Sequence, residues 1–188
     1  MASSAVHMAV TKLTAEKLNM KVSDRLLKGA VLPDFCADKG NSHLKFQIGA
    51  RQTYCLSGFR ACYESFMAED DLYLGYYLHL VQDLLFRNFV YKKHHFNPHI
   101  SGNVLRLHND YRLINAYVLE KYGLRGRLVH PALKEQSEPP RMKDGIFFFT
   151  EQMADDFIQG SCGICAAELD AFFHGQKYMD EYEWAWDI

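Results

Sequence analysis

Residues 70–90, DDLYLGYYLHLVQDLLFRNFV, constrain the fold more than any other stretch. The run holds no proline and a single glycine, Gly75, and it is long enough for a helix of several turns. Leu72, Leu74, Tyr77, Leu78, Leu80, Val81, Leu84, Leu85, Phe86 and Phe89 leave almost no face without an apolar side chain. A helix that is apolar nearly all round is buried. Yet this one carries His79 and Asp83, four residues apart and stacked on one face, with Tyr76 and Arg87 continuing the stripe. A carboxylate inside a buried helix is costly unless it is paired or bound to a metal. Two readings follow. One is an intrahelical His79–Asp83 hydrogen bond. The other is half of a metal site, with imidazole and carboxylate holding one ion from adjacent turns. Gly75, one turn before His79, removes bulk where another ligand or a substrate could approach.

A chain of 188 residues suffices for one domain with a substantial core. Its hydrophobic content of 48% is that of a globular protein, and a net charge of −2 gives no signal of a general nucleic-acid binder. The first twenty residues lack the apolar core of a secretory signal. No run approaches a membrane span, since the most apolar one carries His79, Asp83 and Arg87. A cytoplasmic protein is the expectation. Cys36, Cys55, Cys62, Cys162 and Cys165 are odd in number, which favours reduced thiols. Cys162-Gly-Ile-Cys165 has the C-x-x-C form, but it lacks a second pair for zinc and a strand–helix alternation for redox chemistry. It reads as a helix-start turn.

Along the chain, residues 3–20 predict an amphipathic helix capped by Ser3 or Ser4, with Val6, Ala9, Val10, Leu13 and Leu18 on one side. A short helix over residues 23–30 follows, with a Ser23 cap and an end near Gly29. Pro33 then stops any helix and places Asp34 on a loop. Lys39-Gly40-Asn41 forms a turn before Ser42-His43-Leu44. Residues 54–67 and 103–122 are helical, the second ending at Gly123. Between them lies the basic, His-rich stretch 92–99. Residues 131–145 read as a loop, and residues 145–159 and 166–173 as two further helices before an acidic tail with Trp184 and Trp186. That tail packs on the core or on a second copy of the chain. The expected fold is an all-α single-domain helical bundle, with residues 1–130 as metal-site core and 146–188 as C-terminal helices and tail.

Collected, the candidate ligands are His7 on the first helix, Asp34 after Pro33, His43, and the pair His79 and Asp83. Three imidazoles and two carboxylates suit zinc, iron or manganese better than calcium. The order His7, Gly29-Ala30-Val31-Leu32-Pro33-Asp34, Ser42-His43-Leu44 and His79-Leu80-Val81-Gln82-Asp83 resembles the zinc-dependent phospholipase C family and the related single-strand-specific zinc nucleases. The resemblance covers the first half of the chain. It implies an all-helical fold in which Asp34, His43, His79 and Asp83 bind one metal, with Asp83 bridging to a second ion held partly by His7. The family's later His-x-x-x-Glu is absent, because Arg112 stands four residues after His108. His108 and Asp110 are the candidates for second-site ligands.

What the resemblance implies is a metal-dependent hydrolase of phosphoester or phosphodiester bonds, with zinc the first choice of ion. Asp34 would orient or deprotonate water, and Arg87 and Lys92 are candidate phosphate contacts. Its partner would be a small phosphoester or a phospholipid-like substrate. The helical histidine–aspartate phosphohydrolases fit less well, because their adjacent His-Asp pair does not occur here. The alternative is a non-catalytic helical protein, holding a structural metal or a His–Asp core pair and acting through an oligomer or partner interface.

Overall fold

The buried helix forms as expected. In the computed structural model, which describes residues 2–127, 129 and 145–187, α5 spans Asp71–Arg87 and most of its side chains are buried. Asp70 caps it, its carboxylate accepting Leu72 N–H at 2.9 Å. A π-helical turn, Asn88–Lys93, continues it. The other helices are α1 (Ser4–Lys17), α2 (Asp24–Phe35), α3 (Lys39–Ser42), α4 (Leu56–Glu69), α6 (Asn103–Lys121) and α7 (Glu151–His174). α5 is the hub, touching α1, α2, α4 and α7. No described helix is long and apolar enough to cross a membrane.

The chain is mostly helical, but it is not purely so. A hairpin of β1 (Lys45–Ile48) and β2 (Arg51–Tyr54) turns at Gly49, where φ is +58°, and β3 (Trp186–Asp187) adds antiparallel to β2. Strands of four and two residues without clean alternation carry too weak a period to be read from sequence. The predicted helix over 54–67 accordingly begins two residues late, at Leu56, and Tyr54 belongs to β2.

Three further helices differ from expectation, each for a physical reason. α2 runs past Gly29 and Pro33, so Asp34 sits in its last turn and not on a loop. Gly29 is a contact residue: α2 and α5 cross there, and a Cβ on Gly29 or on Gly75 would run into the facing backbone at Leu72 or Leu26. Gly75 therefore admits a helix, not a substrate. α1 is capped by Ser3, which accepts from Val6 N–H, but it is buried on nearly every side between α2, α6 and α7 and is not amphipathic. α7 continues through Gly160, Cys162 and Gly163 as one helix, so the C-x-x-C is mid-helix and not a start. Its buried stripe Ala154, Phe157, Ile158, Ser161, Cys165 and Leu169 is unbroken, and that outweighs the glycine cost of about 1 kcal/mol each.

Before α7, residues 147–149 are pinned by Asp110, whose carboxylate accepts their three backbone N–H groups, each at 2.8 Å. The tail returns to the core: Trp186 is buried in β3, packed on Tyr54 and under the Arg87 guanidinium. The stretch 131–144 of the expected loop lies outside the described residues.

Candidate metal centre

Five side chains from four segments converge inside this scaffold. α1 supplies His7, the last turn of α2 supplies Asp34, the residue capping α3 supplies His43, and α5 supplies His79 and Asp83. His43 Nε2 lies 3.1 Å from His79 Nε2, 3.6 Å from Asp34 Oδ1 and 3.5 Å from Asp83 Oδ2. His79 Nε2 is 3.7 Å from Asp83 Oδ2, and His7 Nε2 is 3.4 Å from Asp83 Oδ1. The His7 and His79 rings stack with centroids 4.0 Å apart. Two overlapping triads, His7–His79–Asp83 and Asp34–His43–His79, have the proximity a single ion needs.

The far nitrogen of each ring fixes what the near nitrogen can be. His79 Nδ1 lies 2.7 Å from Ala30 O, and His43 Nδ1 lies 2.9 Å from Lys39 O. A carbonyl can only accept, so both Nδ1 atoms carry hydrogens. His7 Nδ1 meets Gln82 Oε1 at 2.8 Å, and the Gln82 amide is oriented by donating to Thr11 Oγ1 at 2.8 Å. Rings held this way turn three Nε2 atoms toward two carboxylates. The Nε2 atoms of His43 and His79, 3.1 Å apart, need a proton or a metal cation between them. His7 Nε2 and Asp34 Oδ1 are buried without any hydrogen-bond partner, as ligand atoms waiting for an ion would be. Anchoring of each ligating imidazole through its other nitrogen is the usual outer layer of a metal site.

The electrostatics agree. Burial, reinforced by neighbouring His7, lowers the His79 pKa to about 3, so the ring is neutral and its lone pair free. Burial also opposes charge on His7, but the attraction of the Asp83 carboxylate 3.4 Å away more than offsets this and raises its pKa. Burial would push the Asp34 carboxyl up, yet His43 at 3.6 Å and the attraction of the other histidines hold it down at about 2. The pocket is built for positive charge. A buried His7–His79–Asp83 group of this kind can hold a metal ion.

Around the five stands a layer that sequence reading missed. Tyr54 O–H donates to Asp83 Oδ2 at 3.4 Å and accepts from Arg87 Nε at 2.8 Å, while Ala2 N–H donates to Asp83 Oδ1 at 3.2 Å. Lys39 donates to Asp34 O and stands 3.6 Å from Asp34 Oδ1. Gln82 had a legible signal, an amide at position i+3 from His79 inside an apolar helix. Tyr54 and Lys39 had none, since the short hairpin that places Tyr54 was not visible in the sequence.

The remaining predicted residues fall elsewhere. Asp110 is engaged by backbone N–H groups of 147–149, and His108 stacks on Tyr111 at 5.7 Å outside the convergent set. Arg87 sits one layer back from the ligands, behind Tyr54. Lys92 is exposed on the π-helical turn, with no contact to the cluster among the described residues. No family model matches the chain, nor does any curated protein or any solved structure. The reading of function therefore rests on the geometry.

Proposed function

We propose that this protein is a metal-dependent hydrolase of phosphoester or phosphodiester bonds, with His7, Asp34, His43, His79 and Asp83 as its ligand set and zinc as its ion. The observation that carries the reading is the convergence of three Nε2 atoms and two carboxylates, with His7 Nε2 and Asp34 Oδ1 buried and without a hydrogen bond. Imidazole with carboxylate and no thiolate suits zinc, iron or manganese, and it is unlike the cysteine-rich sets of structural zinc. A divalent ion in such a set supplies Lewis acidity and makes water acidic near neutral pH.

The chain's own residues divide the remaining work. Asp34 is the one ligand whose side chain reaches solvent, at 9% exposure against 0% for the other four, so substrate and water approach from its side. Its carboxylate is ionised throughout the physiological range and can orient water or accept its proton. Tyr54, kept neutral by burial and by Asp83, holds the Asp83 carboxylate in place. Gln82, Ala30 O and Lys39 O hold the rings.

A second reading is a structural ion, favoured by the complete burial of four of the five ligands. The experiment that separates them is hydrolysis of p-nitrophenyl phosphate and bis(p-nitrophenyl) phosphate by metal-loaded protein. Activity that a chelator removes, that added metal restores, and that Asp34→Asn lowers by about a hundredfold or more supports the enzyme. Full metal content without turnover of either ester supports the structural ion.

A further inference from the structure

The cations near the centre outnumber what its carboxylates can satisfy. A divalent ion would balance Asp34 and Asp83. Lys39 is held at Asp34 by its backbone carbonyl and a 3.6 Å approach to the carboxylate. That leaves Lys45 and Arg87, neither of which makes an ion pair among the described residues.

Their positions are set by the hairpin and by α5. Lys45 opens β1 and is the antiparallel partner of Tyr54. Cross-strand partners project from the same face of a sheet with Cβ atoms roughly 5 Å apart. Lys45 therefore shares the face from which Tyr54 reaches Asp83, and it is half-buried there. Asp34, Asp83, Lys39 and Arg87 all lie within its electrostatic reach. Arg87 comes from the next turn of α5 after Asp83. It is partly buried and, among the described residues, bonded to the hydroxyls of Tyr54 and Tyr91, with Trp186 4.3 Å from its guanidinium. Two sheltered cations without a carboxylate between them, beside a site that would already be neutral once loaded, call for an anion.

We infer that Lys45, backed by Arg87, forms an anion-binding wall beside the five-donor cluster and receives the oxyanion of a phosphoryl group. The charge balance rests on the metal reading above. The wall also narrows the substrate to one carrying a negative charge next to the reacting centre, which excludes neutral esters and amides. Lys45 reaches the anion directly and sets this preference. Arg87, tied to two tyrosines, supplies a fixed field and holds Tyr54.

The test is calorimetric titration with inorganic phosphate and with a short-chain phosphatidylcholine below its micelle concentration, beside measured metal content. Wild type, Lys45→Met and Lys45→Arg are compared, each metal-loaded and metal-free. Lys45→Met keeps the aliphatic stem on the hairpin, and circular dichroism checks its fold. The expected result is a loss of about tenfold or more in affinity for whichever probe binds in Lys45→Met. Lys45→Arg should stay close to wild type, with metal content unchanged in all three. Preference for phosphate over the phospholipid assigns a small phosphoester, and the reverse assigns a lipid headgroup. Equal affinity in wild type and Lys45→Met, or no binding of either probe to wild type, overturns the wall. A chain that takes up no metal refutes the metal reading separately, and the metal-free comparison still decides the role of Lys45.

Discussion

Substituting Gly75 by Ala adds one methyl group at the crossing of α2 and α5, where the two backbones meet without intervening side chains. The new Cβ would overlap Leu26 O and stand 2.9 Å from Ala30 N and 3.0 Å from Gly29 Cα. These atoms are backbone and cannot rotate away, so the helices must part by about 1 Å to restore ordinary contact. Overpacking of this kind costs typically ~1–3 kcal/mol and sometimes more, while alanine returns at most ~1 kcal/mol of helix propensity. A rigid obstacle places the cost at the upper end, for a net loss of about 2 kcal/mol. In a chain of this size that lowers Tm by roughly 4–8 °C. The movement has a second consequence, because α2 carries both Ala30 O, which anchors His79, and Asp34. Metal affinity should fall by about tenfold or more. Differential scanning calorimetry with and without added zinc measures both effects. A Tm for Gly75→Ala equal to or above wild type would refute the close crossing and the coupling drawn from it.

Other substitutions separate scaffold from site. Gln82→Leu removes the acceptor for His7 Nδ1, and competition with a chromogenic chelator should show metal affinity reduced by about 10–100-fold while the fold persists. Asp110→Ala leaves three N–H groups of residues 147–149 without their carboxylate and should cost about 3 kcal/mol in chemical denaturation, with metal content intact. A lost metal equivalent would instead make Asp110 a ligand. The metal-free protein should lose stability as pH falls from about 6.5 towards 3. In that window His79 binds a proton when unfolded but not when folded, so acid favours the unfolded chain. His7, whose folded pKa is raised, works in the opposite sense: its contribution is full below 6.5 and is lost as pH rises through its folded value. Denaturation midpoints across pH should show the net fall, and His79→Gln should flatten it.

How much of this was legible in the sequence varies with the range of the interaction. The buried helix and its His79–Asp83 pair were readable because a period of 3.6 and near-total apolarity leave few alternatives. The caps at Ser3 and Ser23 were local and came through. Gly29 and Pro33 were misread because glycine and proline mark turns in isolation, and Gly75 because a missing side chain reads equally as room for a ligand; here the two glycines let helices touch and the proline is carried in a last turn held by packing. Gly160 and Gly163 were misread for the same reason, since α7 is stabilised by its buried stripe and not by propensity. The five candidate ligands could be collected by residue type and order, and they do converge. The residues that tune them could not, because Tyr54, Lys39 and Lys45 are brought in by short elements whose pairing is decided in space.

The most direct test of the metal centre is elemental analysis of the untagged protein beside His79→Ala, with circular dichroism to show that the variant is folded. One or two equivalents of zinc, iron or manganese are expected per wild-type chain, before or after incubation with the metal, and none in the variant. A wild-type chain that takes up no metal, or a folded His79→Ala variant that keeps the full complement, would contradict the metal centre.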